Sequence, residues 1–191
     1  MSESPEHTRC NRMMENAILG NRLIGKMVAE IEDLGCAIPK DFFVCAPAPD
    51  KNASGGFVMP TDSDSETYKP KIVMYENNII EKESFEKTLA HELVHAYDQC
   101  RAKLEWKNCM HHACTEIRAS NMSGECNWWH ELLRGHVSMS EGKIECVKRR
   151  SKKSVSLNPY CKGISDWAVD TAFSKCYDDI SPLNEDDIWR S

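Results

Sequence analysis

The sequence has no apolar run near the length of about 18–20 residues that a membrane-spanning helix needs. It also contains no C-x-x-C pair, no internal repeat and no low-complexity tract. The missing C-x-x-C pair removes the main signature of zinc ribbons and of thioredoxin-type redox sites. The first ten residues, MSESPEHTRC, have neither the apolar core of a secretory signal nor the Arg-rich, acid-poor composition of a transit peptide. These absences favour a globular domain.

A surplus of basic residues is also missing. The formal net charge is −6 and the calculated pI is about 5.7, so we expect no nucleic acid partner, which would normally require a basic face. The basic run at 148–153 could contact anionic lipid or nucleic acid, but solvated helix surface is the favoured interpretation. With 191 residues, of which 41% are hydrophobic, the chain is long enough for one domain with its own core.

Cysteine, in contrast, is abundant. The ten cysteines are Cys10, Cys36, Cys45, Cys100, Cys109, Cys114, Cys126, Cys146, Cys161 and Cys176. An even number spread along the chain predicts a disulfide framework formed in an oxidising compartment. The alternative is a set of reduced, buried thiols. A disulfide framework is at odds with the missing secretory signal.

Hydrophobic periodicity predicts a mainly helical chain. Strands are predicted within 41–47, 55–60 and 71–77, and helices over 11–34, 84–103, 108–122, 141–155 and 165–177, with a further helical run from Trp128. Ser84 and Ser165 are predicted to be N-caps, and 61–70 is predicted to be a polar loop. The last residues, DDISPLNEDDIWRS, are predicted to be a loose acidic tail.

The segment LAHELVHAYDQC at 89–100 carries the pattern H-E-x-x-H. On a helix, His91 and His95 leave the same face one turn apart and can occupy two corners of a tetrahedral Zn²⁺ site. Glu92 is displaced around the helix and is placed to reach a zinc-activated water, so we predict that it is the general base. A solvated His-Glu-His surface on an ordinary helix is the alternative.

The third metal ligand is not given by the motif. The extended pattern H-E-x-x-H-x-x-G-x-x-H is absent, because Asp98 and Arg101 occupy its last two positions. The next helix offers His112 and Glu116 on one face; we favour Glu116 as the third ligand, with His112 as the alternative. Asp98 is a candidate to orient an imidazole, or else to form a surface ion pair with Arg101 or Arg118.

Together these features predict an α+β fold with a single zincin-like domain, mostly helical, with a small antiparallel or mixed sheet and an active-site helix that carries HExxH. The predicted organisation is an N-terminal amphipathic helix within 1–35, the metalloprotease domain at 36–179 and the acidic tail at 180–191. Zinc proteases of this design bind substrate as an added strand at a sheet edge, and GGFVMP and KIVMYEN are the candidate edges. An ordinary hairpin is an equally good interpretation of the two segments.

The segments HELVHAYDQCRA, HHACTEIRASNMSGEC and NPYC resemble the mitochondrial inner-membrane zinc metalloprotease family that processes and helps to assemble a membrane subunit of ATP synthase. SGGF and CYDD fit the same family, and plant-type members are more similar than animal ones. The resemblance implies a peptidase in the intermembrane space, peripheral on the inner membrane, with His91 and His95 as metal ligands and Glu92 as the catalytic residue. It also implies a protein substrate, the ATP synthase subunit. The intermembrane space oxidises cysteines and admits proteins without a cleaved presequence, so this location would reconcile the cysteines with the N-terminus.

The sequence departs from the family pattern at two places, because cysteines expected before SGG and at the end of the following strand are absent. Three functions are therefore compared. The first is a zinc endopeptidase, and the second is a non-proteolytic assembly factor, against which the intact His91, Glu92 and His95 argue. The third is a DNA-repair-associated metalloprotease, for which the basic surface is missing.

Overall fold

The structure is a computed structural model that describes residues 4–49, 53–59, 69–126 and 139–189. Within these residues the chain is mostly helical, with one small mixed sheet. It divides into two compact units, residues 1–100 and residues 101–190. The helical run predicted from Trp128 and most of the polar loop predicted at 61–70 lie outside the described residues.

Two helices open the first unit where the sequence predicts one. Helix α1 spans Pro5–Gly20 and helix α2 spans Arg22–Asp33. Asn21 separates them, because its backbone is extended and its side-chain oxygen accepts hydrogen bonds from the N–H groups of Leu23 and Ile24. A Gly-Asn pair is a helix-ending signal that the apolar periodicity masked.

Three strands form the sheet of the first unit. They are β1, Phe43–Ala46, β2, Gly55–Val58, and β3, Lys71–Tyr75. The order is β1-β3-β2, with β1 parallel and β2 antiparallel to β3. The mixed sheet confirms the prediction, and β2 is an edge strand within the described residues. KIVMYEN contributes the central strand β3, so its choice as a candidate edge is wrong.

Helix α3, Lys82–Ala102, completes the first unit and carries the H-E-x-x-H segment. It begins before Ser84, because the Phe85 N–H already donates to the Glu81 carbonyl at 3.0 Å. The prediction that Ser84 is the N-cap is therefore wrong. Phe85, Leu89 and Leu93 are fully or almost fully buried, which fixes the apolar side of the helix against the core.

The second unit is helical in its described residues. Its helices are α4, Cys109–Met122, α5, Met139–Leu157, α6, Ser165–Asp178, and the short α7, Glu185–Trp189. Helix α4 packs against α5 and α6, around a core that includes Ile117, Val147 and Val169.

The ends of these helices test three predictions. Asn108 caps α4 and Ser123 ends it, which confirms the predicted bounds. Ser165 is not the N-cap of α6, because Ile164 holds that position without a side-chain hydrogen bond. The predicted acidic tail contains α7, which Asn184 and the buried Asp187 cap reciprocally.

All ten cysteines form disulfide bonds, which confirms the predicted framework. The first unit contains Cys10–Cys45 and Cys36–Cys100. The second unit contains Cys109–Cys161, Cys114–Cys176 and Cys126–Cys146. Each bridge therefore joins residues of the same unit.

Candidate metal centre

Two imidazoles occupy neighbouring turns of α3. The ring centroids of His91 and His95 are 4.8 Å apart, and the rings are nearly perpendicular, at 79°. The side chain of His91 is partly exposed, whereas His95 is only 5% exposed. The pair results from the spacing of four residues on a helix whose apolar side chains are buried on other faces.

Glu92 follows His91 directly and is also buried, with 8% of its surface exposed. Carboxylates are seldom buried unless they are paired or hydrogen-bonded, because removing a charge from water is costly. Its burial in the middle of α3 is therefore unlike the solvated His-Glu-His surface that the sequence left as an alternative.

The edge strand β2 approaches α3 closely at Gly55. A Cβ atom placed on Gly55 would lie 2.9 Å from Thr88 Cγ2 and 3.1 Å from the Val73 carbonyl oxygen. Only glycine permits this approach, and Thr88 lies one turn before His91 on the same helix. The glycine at this position of the SGGF segment therefore allows the edge strand to pack closely against the helix that carries the motif.

Glu116 lies on α4 and is 4% exposed. Its Oε1 accepts a hydrogen bond from Ser154 Oγ at 2.6 Å and lies 3.2 Å from His112 Nε2. The other ring nitrogen of His112, Nδ1, lies 3.0 Å from Asn158 Nδ2. The carboxylate is therefore held by side chains from α5 and from its own helix.

One donor atom each from His91, His95 and Glu116 forms a group in which all three atoms lie within 4.8 Å of one another. Two imidazoles and one carboxylate are a donor set that suits a divalent transition metal. The chemistry of the donors thus fits a metal ion, and the group contains the two histidines of H-E-x-x-H.

A family model described as the peptidase M76 family matches residues 8–184. The chain belongs to the peptidase M76 family.

Curated relatives agree with this assignment. The mitochondrial inner membrane protease atp23 of Schizosaccharomyces pombe is 34% identical, with 97% of this chain and 99% of that protein covered. The mitochondrial inner membrane protease ATP23 of Malassezia globosa is 32% identical, with 93% of this chain and 76% of that protein covered. The Homo sapiens homolog is 31% identical, with 92% and 69% covered. No solved structure matches the chain.

This M76 peptidase is thus a metallopeptidase, and its relatives assign it to the mitochondrial inner membrane. The protease prediction is confirmed, and the two alternatives, an assembly factor without activity and a DNA-repair protease, are not favoured. Among the described residues, no helix combines the length and the apolar composition that crossing a membrane would require.

Asp98 of the M76 peptidase is 2% exposed, so it is not a surface carboxylate. Arg101 and the fully buried Arg118 both bind Asp179, with N–O distances of 2.9 and 2.7 Å. The role of Asp98 in orienting an imidazole stays a prediction.

Asp179 has an altered acidity. Its partial burial would raise its pKa, but the hydrogen bond from Arg101 and the charges of Arg118 and Arg101 outweigh burial and lower the pKa below its usual value. Arg118 also donates to the carbonyl oxygens of Asp179 and Ser181. The segment after α6 is therefore tied to the middle of α4.

Sequence reasoning missed Ser154, Asn158 and Asp179. The segments NPYC and CYDD, which contain Asn158 and Asp179, were noted only for their family resemblance. No local pattern identifies the long-range partners of these side chains, which are Glu116 for Ser154, His112 for Asn158 and Arg101 for Asp179, because these partners lie 38 to 78 residues away in the chain.

Proposed function

We propose that this M76 peptidase is a zinc-dependent endopeptidase in which His91, His95 and Glu116 bind one zinc ion and Glu92 is the general base. The observation that carries the proposal is the three-residue group with donor atoms within 4.8 Å. Imidazole nitrogen suits zinc, whereas magnesium and calcium prefer sites made of oxygen ligands. Three protein ligands leave a fourth position open, as catalytic zinc requires.

When bound, zinc supplies Lewis-acid activation of a water molecule and of the substrate carbonyl. Glu92 then accepts a proton from the attacking water and delivers it to the amine that leaves when the peptide bond breaks. Glu92 is buried on α3 and follows His91 directly in sequence, so the proposed base and two of the proposed ligands are carried by one helix.

Glu116 is a better third ligand than His112. Both ring nitrogens of His112 are engaged, one with Asn158 and the other with Glu116. A zinc-binding imidazole needs one nitrogen with its lone pair directed at the metal. We therefore assign the metal bond to the Glu116 carboxylate and a supporting hydrogen bond to His112.

We assign substrate binding to the edge strand β2. A peptide that adds as a strand beside Gly55–Val58 would lie next to the strand that contacts Thr88 on α3. Strand addition supplies main-chain hydrogen bonds that do not depend on the substrate sequence. It would hold the scissile bond extended beside the helix that carries the motif.

The resemblance described above points to a membrane subunit of ATP synthase as the substrate and to the intermembrane space as the location. Five disulfide bonds support an oxidising compartment. The protease would then act on a substrate segment that is accessible from the intermembrane space.

Peripheral membrane association is supported by a group of exposed apolar residues. Four large apolar side chains lie within eleven residues at the α5–α6 turn and form what we call the apolar ledge: Leu157, Tyr160, Ile164 and Trp167, with exposures of 76%, 64%, 46% and 59%. Lys107 Nζ lies 5.5 Å from the centre of the Tyr160 ring. Aromatic and aliphatic side chains beside lysines suit the interface of an anionic bilayer.

Metal analysis tests the proposed site. The purified protein should contain about one zinc ion per chain, and the His91→Ala, His95→Ala double variant should contain none, because removal of two ligands leaves only one protein ligand. The matched control is His111→Ala, which removes an exposed imidazole elsewhere. Full zinc occupancy in the double variant would contradict the proposal.

A further inference from the structure

The side chain of Asn158 has a defined orientation in the turn that follows α5. Its Nδ2 donates to the Trp106 carbonyl oxygen at 2.8 Å, and its Oδ1 accepts from the Tyr160 N–H at 3.1 Å. A carbonyl oxygen can only accept and a backbone N–H can only donate. The two bonds therefore agree on which end of the amide is the NH₂ group.

The same NH₂ group lies 3.0 Å from His112 Nδ1. Because the NH₂ group only donates, His112 Nδ1 must offer its lone pair. A neutral imidazole then carries its proton on Nε2. Asn158 thus selects one of the two tautomers of His112.

The protonated Nε2 of His112 lies 3.2 Å from Glu116 Oε1, and Ser154 Oγ donates to the same oxygen at 2.6 Å. Two donors on one carboxylate oxygen fix the orientation of the carboxylate. His112 and Glu116 are both more than nine-tenths buried, so water does not compete freely for these bonds.

The turn that carries Asn158 is fixed to the start of α4. The Cys109–Cys161 disulfide joins the first residue of α4 to the turn, with Cα atoms 5.5 Å apart. The Cys161 N–H also donates to the Asn158 carbonyl oxygen at 2.9 Å. The disulfide and this hydrogen bond therefore restrain the turn that carries Asn158 relative to the first turn of α4, which contains His112.

We propose that Asn158 is a positioning residue for the third metal ligand. It holds His112 in the tautomer that donates to Glu116 Oε1, and His112 and Ser154 together orient the carboxylate so that Oε2 serves the metal. This inference rests on the proposed function, because it takes Glu116 to be a ligand. Positioned carboxylate ligands bind metal more tightly, and loss of such support usually weakens binding by about 10–100-fold.

Zinc affinity of the folded full chain tests the inference, measured by competition with a chromophoric chelator. Asn158→Leu and His112→Leu should each weaken zinc binding about 10–100-fold. His112→Gln keeps a side-chain donor for Glu116 and should recover most of this loss. His111→Ala, an exposed neighbouring imidazole, should bind zinc as the parent protein does.

The spectrum of the Co²⁺-substituted protein separates positioning from simple stabilisation. A change in how Glu116 coordinates should shift the ligand-field bands of Asn158→Leu and His112→Leu, and His112→Gln should restore them. If the Leu variants do not fold, Ser154→Ala tests the same carboxylate with the smallest change, and it should weaken zinc binding several-fold.

Parent-like zinc affinity in Asn158→Leu and His112→Leu would overturn the inference. If these Leu variants do not fold, parent-like zinc affinity in Ser154→Ala would overturn it. An empty site in His112→Leu together with zinc retained in Glu116→Ala would also overturn it, because His112 would then be the ligand. A different result would contradict the proposed function itself, namely that zinc is retained after His91 and His95 are removed.

Discussion

The proposed metal ligands are positioned in two different ways. In residues 1–100, His91 and His95 are placed by one helix and a spacing of four residues. In residues 101–190, Glu116 is held by His112, four residues away in sequence, and by Ser154, 38 residues away. His112 is in turn held by Asn158, which is 46 residues from it. The comparison teaches that a local motif and a tertiary network contribute to one proposed site, and that mutations should affect them differently.

The units also differ in how they are stabilised. The first unit has a sheet and two disulfides, whereas the described residues of the second have helices and three disulfides. In the second unit every bridge has at least one half-cystine in the core, whereas in the first unit Cys10–Cys45 is buried and Cys36–Cys100 is only partly buried. The core of the second unit should therefore depend on Cys114–Cys176 more than the core of the first unit depends on Cys36–Cys100.

The largest expected effect concerns the local motif. Glu92→Gln should keep the fold and the zinc but lower peptidase activity by about 10²–10⁴-fold, because the amide cannot accept the proton of the attacking water. Peptide cleavage, together with zinc content, measures this. Undiminished cleavage would show that the first unit does not supply the base.

The disulfides of the two units allow a matched test, because Cys36–Cys100 and Cys114–Cys176 close sequence separations of 64 and 62 residues. Loop entropy alone predicts that removing either bridge by Cys→Ala costs about 4 kcal/mol. We expect the greater loss of unfolding free energy for Cys114–Cys176, because Cys176 is part of the buried core.

Denaturant unfolding of the two double-alanine proteins measures this difference. Cys126–Cys146, with a separation of 20 residues, is the short-loop control and should cost about 3 kcal/mol in the same model. If removal of Cys36–Cys100 and removal of Cys114–Cys176 lowered the unfolding free energy equally, the proposed difference between the cores would be contradicted.

Membrane binding should distinguish the apolar ledge from exposed apolar residues of the first unit. Replacing Leu157 and Trp167 by Ser should lower partitioning to phosphatidylcholine vesicles that contain a fifth of anionic phospholipid by about tenfold or more, because both side chains lose apolar contact with the bilayer. Vesicle flotation measures it. The control replaces Leu19 and Ile80 by Ser, since these side chains are 82% and 70% exposed. If both proteins lost vesicle binding equally, the apolar ledge would have no specific role in membrane binding.

The smallest effect is a pH dependence. The lowered pKa of Asp179 means that its ionised form stabilises the folded state above its unfolded pKa of about 3.9, and that this stability is lost as the pH falls through the folded value. Asp179→Asn should therefore lower the unfolding free energy near pH 7 by about 1 kcal/mol, reduced by solvent screening, and the difference should vanish in acid.

Asp41 in the first unit is the control for this measurement. A hydrogen bond from Lys71 lowers its pKa, but the carboxyl is fully exposed, so Asp41→Asn should leave stability unchanged. Unfolding curves at several pH values compare the two variants. A loss for Asp179→Asn that persists in acid would assign the effect to packing rather than to charge.

Much of the secondary structure could be predicted because it depends on local periodicity. The strands at Phe43–Ala46 and Lys71–Tyr75 and the helix at Cys109–Met122 follow from apolar spacing and the Asn108 cap. Ser84 and Ser165 misled the prediction, because a serine near a helix start is an N-cap only when its side chain accepts a bond from the helix. Asn21 was missed because the apolar pattern continues across it.

The sequence by itself determined that His91 and His95 share a helical face, that Glu92 lies beside them, and that ten cysteines suit a disulfide framework, because spacing and chemical type suffice for each. Only the tertiary structure decided which cysteines pair, that β2 lies at an edge of the sheet whereas β3 lies at its centre, and that His112 contacts both Asn158 and Glu116. These features depend on where distant segments of the chain meet. Local propensity carries no information about these long-range contacts, since the packing of the whole core determines them.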